Sequence, residues 1–168
     1  ALGPAMLIIN ADDWGRSAAE THRALECFKA NRITSVSAMV FMQNSERTAA
    51  LARQHGLDVG LHLNLSQAYN GARASTGSRR TQQRIVRFLT SHRYALLFYH
   101  PGLVTPFRQV YREQLQEFVR IYGGPPSHLD GHQHLHLCTN MLLTRILPPG
   151  LKVRRNFSFL AGEKGSVN

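Results

Sequence analysis

Ser127-His128-Leu129-Asp130-Gly131-His132-Gln133-His134-Leu135-His136 is the stretch on which the reading of the chain turns. Four of the nine histidines fall inside it, with Asp130 among them. His128, His132 and His136 are four apart, a spacing that lines up on one face of a helix. Pro125-Pro126 just upstream and Gly131 within the run oppose a helix, because proline lacks an amide donor and glycine costs backbone entropy. The extended reading is therefore favoured. It places His128, Asp130, His132, His134 and His136 on one face and Leu129, Leu135 and Leu137 on the other. Each step along a strand covers about 3.3 Å, so at most two of the five polar groups can hold one ion, and further ligands must come from elsewhere.

The chain around this run has 168 residues, 43% of them hydrophobic, enough for a single well-buried domain over 1–168. Ala1–Ala5 is too short and too weakly apolar for a secretory signal, and no apolar run approaches the roughly 20 residues of a membrane span. A soluble, cytoplasmic protein is expected, with Met6 the natural start and Ala1–Ala5 a remnant of expression. Cys27 and Cys138 are too few for a disulfide framework or a cysteine zinc site and read as ordinary buried thiols. Twenty Lys and Arg against ten Asp and Glu give a net charge of +10. The excess gathers at Arg79, Arg80, Arg84, Arg87 and Arg93, a face that can attract nucleic acid, a phosphate-bearing substrate or an anionic membrane. Without interleaved stacking aromatics or a nucleic-acid motif, the sequence favours a solvated helix surface, and nucleic acid is not expected as a partner.

Upstream, strands and helices alternate. Met6-Leu7-Ile8-Ile9 reads as a buried strand opening into Asn10-Ala11-Asp12-Asp13-Trp14-Gly15. Ser17 and Glu20 form a capping box for a helix, with Leu25 and Phe28 on its apolar stripe. A second strand is expected over Thr34–Met42, and a helix capped at Asn44 or Ser45 closes near His55-Gly56. Leu57–Leu65 is the third strand, on which His62 alternates against Leu61 and Leu63. A polar loop over Gln67–Gly77 leads to a helix over Arg79–Ser91. Thr105-Pro106 opens another, whose Phe107, Tyr111, Leu115, Phe118 and Tyr122 are core packing and which stops at Gly123-Gly124. After the histidine-rich run come a helix near Asn140–Leu147 and a strand at Leu151–Arg155. This order implies parallel pairing with right-handed crossovers. A closed eight-fold barrel takes about 250 residues, so the α/β fold expected is an irregular or incomplete barrel, an open sheet, or a chain missing its C-terminal part.

Asp12, Asp13, His62 and His132 all fall near the C-terminal ends of strands, the edge where such folds build active sites. Asp13, His62 and His132 can supply one carboxylate and two imidazoles to a catalytic divalent ion, leaving positions for water and substrate. Water on such an ion has its pKa brought toward neutrality, and Asp12 is placed to take its proton during attack on a carbonyl. Both aspartates serve one site only if the backbone turns between or after them, for which Trp14-Gly15 is the signal. Taken one at a time, an aspartate pair is often a turn or capping device and a histidine in a strand is often a hydrogen-bonded core residue.

Ile8–Gly15, Gly60–Leu65 and His128–His136 together resemble the three motifs of the YdjC-like carbohydrate deacetylases, the family to which chitooligosaccharide deacetylase belongs. The likeness runs from about Met6 to Val167. It implies an irregular β/α barrel with its metal site at strand C-terminal ends, which removes N-acetyl groups from amino sugars. It also implies one ion, Mg2+ or Zn2+, on Asp13, His62 and His132, with Asp12 as base; two imidazoles lean toward zinc. Trp14 stands where the family usually has Phe. Family members generally continue past the point where this chain stops, so a C-terminal segment is expected to be missing. The acid for the leaving amine is not fixed by the motifs. His134 and His136 are its candidates, with hydrogen bonding to neighbouring ligands as their alternative role. Arg154 is placed either to pair with Asp12 and hold it ionised or to sit on the surface.

Two other classes compete: a metal-dependent phosphoesterase, suggested by the arginine excess, and a non-enzymatic module binding an anionic glycan or nucleic acid, in which the histidines are structural. The partner expected for the deacetylase is an N-acetylated sugar or oligosaccharide, and the edges of an incomplete barrel offer a surface for a homo-oligomer.

Overall fold

A computed structural model describes residues 8–155. Four parallel strands form one sheet in chain order: β1 (Asn10–Trp14), β2 (Ser35–Ala38), β3 (Asp58–Leu63) and β4 (Leu129–Gly131). Helices α1 (Ala18–Lys29), α2 (Ser45–His55), α3 (Thr76–Leu89), α4 (Val104–Tyr122) and α5 (Thr139–Leu143) provide the crossovers and cover. Val153 adds an isolated parallel bridge to Leu129 where a full strand was expected over Leu151–Arg155. The α/β class and the parallel pairing are as the alternation implies. Among the described residues the sheet is open, with β1 at one edge.

The sheet is two-sided, which the apolar reading of its first strand did not anticipate. Val36, Ala38, Leu61, Leu63 and Leu129 are buried in the apolar core, together with Trp14, Phe107 and Phe118. The alternate positions carry Asn10, Ser35, Ser37, His62 and Asp130, which bond one another: Ser35 Oγ donates to Asn10 Oδ1 at 2.8 Å, and Asn10 Nδ2 to Ser37 Oγ at 2.8 Å. Pairing thus begins at the polar Asn10, in register with Ser35, and Ile8 and Ile9 lie exposed ahead of it. Met6 and Leu7, the rest of that expected strand, lie outside the described residues. Gly60 serves the same polar face: a Cβ there would sit 2.4 Å from the His128 ring.

Several helix ends follow the sequence signals and others depart from them. Ser17 caps α1 by accepting from the Glu20 amide, but the Glu20 carboxylate turns to Arg16 instead of closing the box. Gly56 and Gly123 end α2 and α4 in the left-handed conformation that glycine adopts without penalty. α3 begins at Thr76 behind a Ser75 cap, earlier than expected. α4 begins at Val104, so Pro106 falls within the first turn, where amides have no helical partner. Cys138 is buried as expected, whereas Cys27 is exposed on α1.

α4 holds the end of β3 through a buried amide pair: the Asn64 amide donates to Gln114 Oε1 at 2.8 Å and Gln114 Nε2 donates back to the Asn64 carbonyl at 2.9 Å. The loop beyond β3 is stitched to the end of β2, with the Gly71 amide 2.8 Å from the Phe41 carbonyl oxygen. A Cβ on Gly71 would lie 2.7 Å from the Met42 carbonyl oxygen, and backbone cannot step aside as a side chain can. Gly71→Ala is therefore expected to cost about 1–3 kcal/mol, seen as a lower urea midpoint at unchanged slope.

Candidate metal centre

β1 does not run straight into its loop. Asp13 has φ +65°, and the register of β1 on β2 shifts between Ala11 and Trp14. A bulge of this kind re-aims side chains. The turn expected at Trp14-Gly15 thus starts at Asp13 itself and continues through Gly15 at φ +86°. It lets two adjacent aspartates serve one region.

Asp13 Oδ1 lies 3.3 Å from His62 Nε2 on β3 and 3.1 Å from His132 Nδ1, in the first residue after β4. One ligand atom from each of the three falls within 4.8 Å of the others. Asp13 Oδ2 is taken by the Arg16 guanidinium at 3.1 Å, which leaves Oδ1 for the two imidazoles. His62 is buried, and its Nδ1 lies 2.7 Å from Asp130 Oδ1, so Nε2 is the nitrogen turned toward Asp13. The second oxygen of Asp130 accepts from Ser37 Oγ at 2.8 Å and from Arg154 at 3.1 Å. A carboxylate oxygen with two convergent imidazole nitrogens, one ring oriented by a further carboxylate, fits a divalent ion.

The local charges support each other. Hydrogen bonds from His132 and His62 hold Asp13 well below the usual carboxylate range. Burial works against a charge on His62, but its hydrogen bonds to Asp13 and Asp130 outweigh burial and push it up to about 9. Asp130 is likewise buried, yet His62 and Ser37 draw its pKa down.

Asp12 stands beside this group, its carboxylate accepting from Arg154 Nη1 at 2.7 and 2.8 Å and from Asn10 Nδ2 at 2.8 Å. Asp12, His62 and Asp130 also approach within 4.8 Å of one another. Arg154 therefore pairs with Asp12 and Asp130 together.

The single extended face expected for the histidine run is not formed. β4 ends at Gly131, and His132–Leu137 turns into a 3-10 segment with Gln133 and His134 at positive φ. The turn is what carries His132 toward Asp13, and it separates the remaining rings. His134 is exposed. His136 is sealed from solvent with Nε2 3.0 Å from the Arg154 carbonyl oxygen, and burial lowers its pKa. His128 meets Ser37 Oγ at 3.0 Å on the other side of Asp130. The sequence reading missed Asp130 as the partner of His62, along with Ser37 and Arg16. The signal for Asp130 was present in the alternation of the run, which put it on the face of His132.

Fold and site together define an α/β protein whose parallel sheet gathers an aspartate and two histidines at its strand ends. The profile of the YdjC-like protein family matches residues 6–161, and the chain belongs to that family. It is 34% identical over 133 residues to the carbohydrate deacetylase of Mus musculus, covering 78% of this chain and 43% of that protein. It is 31% identical over 136 residues to the chitooligosaccharide deacetylase of Serratia marcescens, covering 79% and 51%. The chain thus spans about half the length of the curated relatives it matches. A crystal structure from Enterococcus faecalis V583, provisionally named a cellobiose-phosphate cleavage protein, superposes with a TM-score of 0.61 at 22% identity over 82% of this chain and 52% of that one, a likeness of fold.

Two outcomes are expected at the centre. In metal-free protein the His62 ring should titrate by NMR near pH 9 and move downward in Asp13→Asn, which removes a hydrogen bond that favours the charged ring. Zn2+ affinity, measured by chelator competition, should fall about 10–100-fold in Asp130→Asn and further in His62→Ala.

Proposed function

We propose that this chain carries the reaction centre of a metal-dependent deacetylase acting on N-acetylated amino sugars. The observation that carries the reading is the meeting of Asp13, His62 and His132, drawn from three separate strand ends, with Asp12 alongside. Membership of the YdjC-like family and the names of its deacetylase relatives support the substrate class.

Asp13, His62 and His132 would hold the ion, Mg2+ or Zn2+. When bound, it supplies Lewis-acid polarisation of the acetyl carbonyl and acidifies a water molecule. Asp12 is exposed, so solvent reaches its carboxylate, and Arg154 holds that carboxylate in position beside the three ligand side chains. It takes the proton of the attacking water. Amide cleavage then requires a proton on the departing nitrogen. His134 is the candidate donor, because it is exposed and lies two residues beyond His132. His136, being sealed and bonded to the Arg154 carbonyl, supports that role less well and instead braces the segment that carries Arg154.

Incubation with N-acetylated chitooligosaccharides and a divalent ion is expected to release acetate and free amine in equal amounts. Asp12→Asn should lower kcat about 10²–10⁴-fold while Zn2+ affinity stays within a few-fold of the unsubstituted protein. Release of phosphate from phosphorylated sugars without acetate from acetylated ones would overturn the reading.

A further inference from the structure

Outside the candidate centre, the span between Asp58 and Glu113 contains no acidic residue and eight arginines. Arg79 is occupied by loop carbonyls of Tyr69, Gly71 and Ala74. Arg80, Arg84, Arg87 and Arg93 are exposed and make no ion pair among the described residues. α3, which bears three of them, runs directly into a segment whose large apolar side chains face water: Leu97, Phe98, Tyr94 and Tyr99 are 63%, 57%, 51% and 47% exposed. Single exposed apolar residues are ordinary, but a cluster along one segment marks an interaction surface.

This segment is held in place. The His100 amide donates to Asn140 Oδ1 at 2.9 Å and Asn140 Nδ2 donates to the His100 carbonyl at 2.8 Å. The 3-10 turn Ala95–Leu97 packs on both α3 and α5, and α5 exposes Leu142 and Leu143. The Arg93 guanidinium lies 4.5 Å over the Tyr94 ring. The apolar side chains are therefore displayed by a built surface that adjoins the basic helix.

We propose that this surface docks the protein on an anionic lipid bilayer. The observations behind it are the four unpaired arginines and the exposed apolar segment that continues their helix. Arginines pair with headgroup phosphates, tyrosines settle at the level of the headgroups, and Leu97 and Phe98 gain by leaving water for the acyl boundary. Charge complementarity alone would also suit nucleic acid. Bases could stack on Tyr94, Phe98 and Tyr99, but they would leave the exposed Leu97, Leu142 and Leu143 in water, whereas an acyl boundary takes the leucines and the rings together. Among the described residues no helix is long and apolar enough to cross a membrane, so attachment is to the surface. The proposal does not depend on the reading of the metal centre.

Sedimentation of the whole chain with vesicles tests it. Partitioning onto phosphatidylcholine vesicles containing phosphatidylglycerol is expected to exceed that onto phosphatidylcholine alone by about tenfold or more and to weaken with added salt. Arg84→Glu with Arg87→Glu, and separately Leu97→Ser with Phe98→Ser, should each reduce it about tenfold, with thermal unfolding unchanged because these side chains are exposed. Equal partitioning of the unsubstituted chain on both vesicle types would overturn the proposal. So would binding of a single-stranded RNA probe without vesicle binding, or a vesicle-silent dimer dispersed by the Leu97→Ser and Phe98→Ser pair, which would assign the surface to a second copy.

Discussion

The parallel register of β3 on β4 sets His62 beside Asp130, and their 2.7 Å buried hydrogen bond is the constraint on which the centre rests. A bond between an imidazole and a carboxylate removed from water is short and strongly directional. It fixes which nitrogen of His62 faces Asp13. The same carboxylate receives Ser37 from β2 and Arg154 from beyond β4, so one side chain ties three strands' worth of polar groups into a single network. A slip of one residue in that pairing would exchange Asp130 with Leu129, and a charge would enter the apolar core.

The bend at Asp13 is the second constraint. A non-glycine residue at positive φ costs energy and persists only where its surroundings hold it. Here Arg16 grips one oxygen of Asp13 while the two histidines face the other. Arg16 is itself positioned by Glu20 and Gln67, one from α1 and one from the loop after β3. The conformation of a single residue is thereby set by groups from separate elements.

Most of the periodic structure was legible in the sequence, because Gly56, Gly123 and the Phe107–Tyr122 stripe act through local rules that hold in any context. Asp13, His62 and His132 could be singled out because each falls near the C-terminal end of a segment whose sequence reads as a strand, where α/β folds build their sites. The geometry after Gly131 was not legible. Alternation across His128–His136 matches a strand, and nothing in that pattern signals the left-handed conformation that Gln133 and His134 adopt. The polar face of β1 escaped for a related reason: Ile8 and Ile9 carry a stronger strand signal than Asn10, but Ser35 and Ser37 are the partners that determine where pairing starts.

Arg79 joins Tyr69, Gly71 and Ala74 to the first turn of α3, and Gln82 adds a bond to the Gln67 carbonyl at 2.6 Å. Every one of these anchors is a main-chain oxygen. The loop's path is thus independent of what most of its own side chains are. Its outward positions, such as Ala72 and Arg73, are free to change chemistry while the backbone holds course, a division of labour that would let one scaffold be retuned for different ligands.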